Sequence, residues 1–435
     1  MCLASRLDNF DNKGMFQKLR LLISDHDLRR KLFFILGTLV VFRILAAIPV
    51  PSVDRVQLKN FLAGNQFFGL LNVFSGGVLD NLSIAMLGVG PYITASIIMQ
   101  LLTMIFPKLK EMYQEEGEAG RTRFNQYSRI LAVPLSVMQA FGLLTILIRQ
   151  QVIPALTPFG YLTNIAIVTA GTMILMWLGE LITEKGFGNG VSLMIFAGIV
   201  SRLPVDIRQA LATFETSQLI TYAAFLAVGL IVIAGVVVIT EGQRNIPVSY
   251  AKRIRGMRVY GGNQTYLPLR VNQAGVIPII FAVSIILFPG LVGNVLAGVP
   301  AGWAQSTSQF LISVFNNTWI YAAIYFVLVF AFTYFYTAVT FDPQAIATNI
   351  QKQGGFILGI RPGRPTAEYL YRILSRVTLA GALFLGAIAV LPIVVQNLSG
   401  ISAFQLGGTS LLIAVSVILE TMKQVDAQLV MREYE

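Results

Sequence analysis

Apolar residues fall along this chain in blocks close to the ~20 positions that a helix needs to cross a bilayer. Ten such blocks can be read: 32–50, 82–106, 130–148, 162–182, 190–203, 219–240, 273–296, 318–341, 377–396 and 403–422. The fifth is short, opened by Gly188-Asn189-Gly190 and closed by Arg202-Leu203-Pro204. The approach to the second is broken. Phe67 to Phe74 is apolar apart from Gly69 and Asn72, then Ser75-Gly76-Gly77-Val78-Leu79-Asp80-Asn81 precedes the long run from Leu82. Non-helical backbone at membrane depth must be satisfied by protein or by a water-filled cavity. A half-span joined to a full span therefore predicts a re-entrant segment and a cavity for it to enter, as in a channel or transporter.

Composition agrees with a polytopic membrane protein. Of 435 residues, 55% are hydrophobic and 12% charged, against about 25% charged in soluble domains. One cysteine, Cys2, excludes an intramolecular disulfide, and one histidine, His26, lies in a charged N-terminal segment. A His/Cys metal cluster and a His-based triad inside the bundle are thereby excluded, so no cofactor and no metal are expected. The first apolar run follows a charged leader and holds Arg43, unlike a cleavable signal peptide. Met15 is a plausible alternative start, which would make residues 1–14 dispensable.

The formal net charge is +11, and its distribution sets the orientation. With the N-terminus inside, 26 Lys and Arg fall on the cytoplasmic side, against five (Arg55, Lys59, Arg149, Arg202 and Arg208) opposite. The positive-inside rule then places both termini in the cytoplasm. Ten spans with both ends inside divide into five plus five. An odd number per half makes the second half insert upside down, and inverted repeats place a site at their interface.

Six of the spans, and the fifth as far as Arg202 at its closing end, contain no Asp, Glu, Lys, Arg or His. Ion-coupled transporters keep such groups at depth, so a secondary transporter of small solutes is the weaker alternative. An intramembrane protease would need a catalytic pair that the spans lack. An uncharged aliphatic constriction can nevertheless seal by dewetting. Ser96, Gln100 and Thr103 share one face of the second span at i, i+4, i+7, and Gln139 lies within the third. They read either as ordinary interhelical hydrogen-bonding groups or as a polar seam along which two helix groups part. No Gly-x-x-x-x-Gly-Lys-Ser/Thr phosphate loop is present.

Several stretches occur together, in order: Phe42-Arg43, Ile48-Pro49-Val50-Pro51, Asn72-Val73-Phe74-Ser75-Gly76-Gly77, Pro91-Tyr92-Ile93-Thr94-Ala95-Ser96-Ile97-Ile98, and Glu116-Gly117-Glu118-Ala119-Gly120-Arg121. After them come Met176-Trp177-Leu178-Gly179-Glu180 with Gly188-Asn189-Gly190, then Gly275-Val276-Ile277-Pro278, Gly359-Ile360-Arg361-Pro362-Gly363 and Gly407-Gly408-Thr409-Ser410-Leu411-Leu412-Ile413. From about residue 15 to the end the chain resembles the SecY family, the pore subunits of Sec protein-conducting channels. The resemblance implies an all-α polytopic fold of ten transmembrane helices, in two inverted five-helix halves around a central hourglass pore with a re-entrant plug. Its function would be to pass unfolded secretory polypeptides and to release apolar segments sideways into lipid, without enzymatic activity of its own.

Carried over position by position, the resemblance implies a pore ring of Val89, Ile93, Val191, Ile195, Ile280 and Ile413. Isoleucine is common in the family at the two valine positions. The plug would span 67–81, with Phe67, Phe68, Leu70, Leu71, Phe74, Ser75, Gly76, Gly77, Asp80 and Asn81. Ser96, Gln100, Gln139 and Ser284 would belong to the lateral gate. Arg253, Arg255, Arg258, Arg361 and Arg364 lie on long basic loops suited to partner docking, and 258–266 reads as a hairpin turning at Gly261-Gly262-Asn263. The implied partners are SecE-type and SecG-type small membrane subunits, the SecA motor ATPase, the ribosome through its RNA, signal sequences and unfolded substrates, and the lipid bilayer of the bacterial plasma membrane. The expected organisation is a cytoplasmic segment 1–31, an N-terminal half 32–203, a sixth span with its loop 204–272, a C-terminal half 273–422 holding loop 342–371, and a tail 423–435.

Overall fold

A computed structural model describes residues 25–50, 78–149, 151–154, 156–212, 219–250, 253–255, 258–260, 264–273, 275–296, 301–399 and 408–433. The chain forms two compact units, residues 1–203 with 417–435, and 204–416. All ten apolar runs overlap helices. Among the described residues, four helices are long and apolar enough to cross a membrane, or five when one sharply bent pair counts as a single span.

In the first unit, α1 (His26–Ala47) starts at Asp25, whose carboxylate accepts from the backbone N–H of Asp27 and Leu28. This N-cap satisfies donors that the first helical turn leaves unpaired. Beyond α1 the backbone pairs with itself across a wide sequence gap. Pro49 bridges Ser83, Val50 N–H donates to the Leu82 carbonyl at 2.8 Å, and Ile84 N–H donates to the Ile48 carbonyl at 3.0 Å. A 3-10 turn, Val78–Asn81, precedes this neck, and Val78, Leu79 and Leu82 are wholly buried. The expected second span therefore departs from the sequence reading. Residues 82–89 are turns, and α2 is helical only over Gly90–Ile105, with Pro91 in its first turn. Apolar composition alone cannot separate a buried turn from a helix.

At Pro107 the chain bends by 117° into α3 (Pro107–Gln114). Proline has no N–H to continue the helical ladder and its ring clashes with the preceding turn. A long helix, α4 (Gly117–Arg149), doubles back, with Phe124 buried beneath Tyr113 at 4.9 Å between ring centres. Next come α5 (Pro158–Lys185), capped by the Thr157 hydroxyl, and α6 (Gly190–Ala212), capped by Asn189 through Val191 and Ser192 N–H. Pro204 does not end the helix, since α6 runs on past it to Ala212, although the apolar part of that helix stops at Val205.

The second unit holds α7 (Leu219–Glu241), then β1 (Gln243–Tyr250), β2 (Arg253–Arg255), β3 (Arg258–Tyr260) and β4 (Gln264–Arg270). The hairpin expected over 258–266 is not formed. Instead β3 pairs with β2, and β4 pairs antiparallel with β1, so that Gln243 faces Arg270. The β1–β4 pairing buries Ile246 and Val248 of β1 with Leu269 of β4. The helices α8 (Ile277–Leu296), α9 (Gly302–Asn316), α10 (Thr318–Thr340) and α11 (Pro343–Lys352) follow, then β5 (Gly355–Phe356), which joins the sheet in the order β4-β1-β5. Nothing in the sequence reading corresponds to α9. The chain ends with α12 (Arg364–Ser399), packed along α10, and α13 (Gly408–Glu433), so most of the expected tail is helical.

Candidate pore, gate and docking sites

The α5–α6 connection brings two backbones into close contact. A methyl group built on Gly190 would lie 1.9 Å from the Gly179 carbonyl oxygen, so only glycine permits this approach. Gly190 N–H also donates to the Thr183 hydroxyl at 2.8 Å. The contact fixes the first turn of α6, which carries Val191 and, one turn on, the buried Ile195. The matching pair on α2 begins at Val89, buried just ahead of the helix, and continues at Ile93, whose N–H donates to the Val89 carbonyl at 3.1 Å.

Ile280 lies in the first turn of α8 and Ile413 on α13, both buried within the second unit. The structure thus brings Val89 together with Ile93, and Val191 together with Ile195, each pair within one helical turn. Of the plug positions, Phe67, Phe68, Leu70, Leu71, Phe74, Ser75, Gly76 and Gly77 lie outside the described residues, while Asp80 and Asn81 fall in the 3-10 turn.

Ser96 and Gln100 lie half-buried on α2, Gln139 half-buried on α4 and Ser284 half-buried on α8. The packing of α2, α4 and α5 is close, built around Ala95, Ala132 and Met176. On the first two of these helices, the Gln100 side-chain oxygen is buried without a hydrogen-bond partner among the described residues, as is the Ser136 hydroxyl. Thr103, on the same face, donates its hydroxyl to the Gln100 carbonyl at 2.6 Å. Sequence reasoning misses Ser136, although it lies three positions before Gln139 on the same helix.

The docking arginines divide into two places. Arg253, Arg255 and Arg258 belong to the β2–β3 ribbon. Arg361 is exposed at a turn between Gly359 (φ 81°) and Gly363 (φ 97°), backbone angles that glycine adopts without strain. Its carbonyl accepts from the Thr366 hydroxyl at 2.8 Å, tying the tip to the start of α12. Arg364 pairs along the exposed helix face with Glu368 at 3.2 Å. Beneath the tip, Ile246, Val248, Leu269, Ile350, Ile357, Leu370 and Ile373 form one apolar core, so the turn projects from a packed base.

A profile of the SecY family matches residues 83–422. The chain belongs to the SecY family. The protein translocase subunit SecY of Mycobacterium leprae (strain TN) is 44% identical over 431 residues, covering 94% of this chain and 96% of the relative. A solved protein-conducting channel matches the fold with TM-score 0.62 at 21% identity, over 90% of each chain. Sec61 from a canine ribosome–channel complex of the endoplasmic reticulum matches with TM-score 0.61 at 21% identity, again over 90% of each. The chain is accordingly a helical membrane protein with the fold of the SecY-type channel. Its function is that of a protein-translocation channel, not of an enzyme.

Proposed function

We propose that this chain forms the pore through which unfolded secretory polypeptides cross the bacterial plasma membrane, with both termini in the cytoplasm. The observation that carries the reading is the match to a protein translocase subunit along nearly the whole chain. The excess of Lys and Arg on one set of loops supports the orientation.

A translocating chain presents every kind of side chain, so its constriction must offer no specific partner. Val89, Ile93, Val191, Ile195, Ile280 and Ile413 would form such a ring, making weak dispersion contacts with any residue. When idle, the ring and the 67–81 plug would exclude water, and an ion passing there would lose its hydration. Apolar segments would leave between the helices that carry Ser96, Gln100, Gln139 and Ser284. A central leucine contributes about −0.3 to −0.6 kcal/mol to insertion, so about ten give roughly 3–6 kcal/mol, enough to choose lipid over pore.

The basic loops would dock partners: Arg253, Arg255 and Arg258 on ribosomal RNA phosphates, and Arg361 and Arg364 on the SecA motor or the ribosome. SecE-type and SecG-type subunits would complete the assembly. The test is reconstitution in vesicles with the SecE-type subunit and the motor ATPase. A secreted precursor is expected to become protease-protected when ATP is added; protection that is independent of this chain would overturn the proposal.

A further inference from the structure

One face of α12 changes character along its length. Arg372, Arg376, Leu379 and Leu383 follow at i, i+4, i+7 and i+11, and so share one side of the helix. All four are exposed, Leu379 at 44% and Leu383 at 48%. The arginine end opens onto a cleft of about 750 Å³ walled by the start of α11 and the first turns of α12. The acidic groups of that cleft are already engaged: Asp342 accepts from Gln344 and Ala345 N–H at the cap of α11, and Glu368 pairs with Arg364. Arg372 and Arg376 have no ion-pair partner among the described residues. Tyr371, 65% exposed, adds a hydroxyl at the rim.

The cleft also sits at a change of composition in both helices. The apolar run of α10 ends at Thr340, just before Asp342, and that of α12 begins at Val377, just after Arg376. Both walls therefore change from polar to apolar sequence next to residues that line the cleft, Asp342 on one side and Arg376 on the other, as a chain does where it enters a bilayer. We propose that this cleft binds the headgroup of an anionic phospholipid, with Arg372 and Arg376 on the phosphate and the acyl chain laid along Leu379 and Leu383. A free anion would use the arginines but leave the leucine stripe unexplained, and a zwitterionic lipid would gain less from two uncompensated cations.

The test uses the full-length chain in phosphatidylcholine nanodiscs containing a photoreactive phosphatidylglycerol, with crosslinks mapped by mass spectrometry. A photoreactive phosphatidylcholine of the same acyl chain and inorganic phosphate as competitor are the two further arms. Phosphatidylglycerol is expected to label the stretch from Tyr371 to Leu383 about thirtyfold more than phosphatidylcholine, since each of the two basic residues contributes about 1 kcal/mol towards an anionic lipid. Phosphate should not displace it, Arg372→Gln with Arg376→Gln should reduce labelling to the phosphatidylcholine level, and the corresponding lysine pair should retain it. Equal labelling by both lipids in the unmutated chain overturns the proposal even if the glutamine pair fails to fold. Displacement by phosphate identifies a free-anion site and overturns it too, as does unchanged labelling in the glutamine pair.

Discussion

Arg129 of α4 donates its Nε–H to the Glu180 carboxylate of α5 at 2.6 Å. Glu180 is the more enclosed partner, with its side chain 19% exposed against 44% for Arg129. Removing the arginine leaves a poorly hydrated carboxylate, whereas removing both charges leaves neither. Arg129→Ala should therefore cost about 1 kcal/mol, and Arg129→Ala combined with Glu180→Gln less than the two single losses added. A double-mutant cycle on denaturant unfolding in detergent measures this; strict additivity would refute the coupling.

Glycine has opposite consequences at two helical positions. At Gly190 an added methyl meets the Gly179 carbonyl, a backbone atom that cannot swing aside. Gly190→Ala should destabilise by about 1–3 kcal/mol or more. At Gly229, within α7, the same methyl meets nothing within 4 Å. Gly229→Ala should be neutral or stabilising by up to about 1 kcal/mol, through helix propensity. Melting temperatures measured on the two variants check this: the first should fall, and the second should hold or rise.

The ring assignment predicts a leak. Changing Ile93, Ile195 and Ile413 to glycine removes branched side chains from the proposed seal, and idle conductance in a planar bilayer should rise well above that of the unmutated channel. Background conductance from a correctly folded triple variant would show that these residues are not the seal.

Arg361 offers a separation of folding from docking. It is exposed, and its carbonyl rather than its side chain ties the tip to α12. Arg361→Glu should leave stability within about 0.5 kcal/mol while weakening motor-stimulated export and ribosome binding, the latter in a salt-dependent manner. A large fall in melting temperature would assign the residue to folding instead.

The ten apolar runs locate helices because burial in lipid imposes a length and a composition that can be counted along the chain. The ends are less legible. Leu82 to Val89 is as apolar as the helix it precedes, and only the backbone pairing of Val50 with Leu82 shows it to be turn. Pro204 reads as a terminus but lies inside α6, and α9 is hidden because Ser306, Thr307 and Ser308 dilute its apolar face. For the candidate sites, the spacing of Val89 with Ile93 is visible in the sequence. The unpartnered oxygen of Gln100 and the uncompensated arginines of the α12 cleft are not, since both depend on what neighbouring elements leave unsatisfied.

The neck formed by Ile48–Val50 against residues 82–84 has a consequence for how the chain tolerates change. Its two segments hold their own register by backbone hydrogen bonds, so the ends of the intervening stretch are joined whatever its length. The juxtaposition of α1 with the approach to α2 thus rests on hydrogen bonds that lie outside residues 51–77, and a substitution that broke the Val50–Leu82 pairing would loosen the mouth of that stretch from its base.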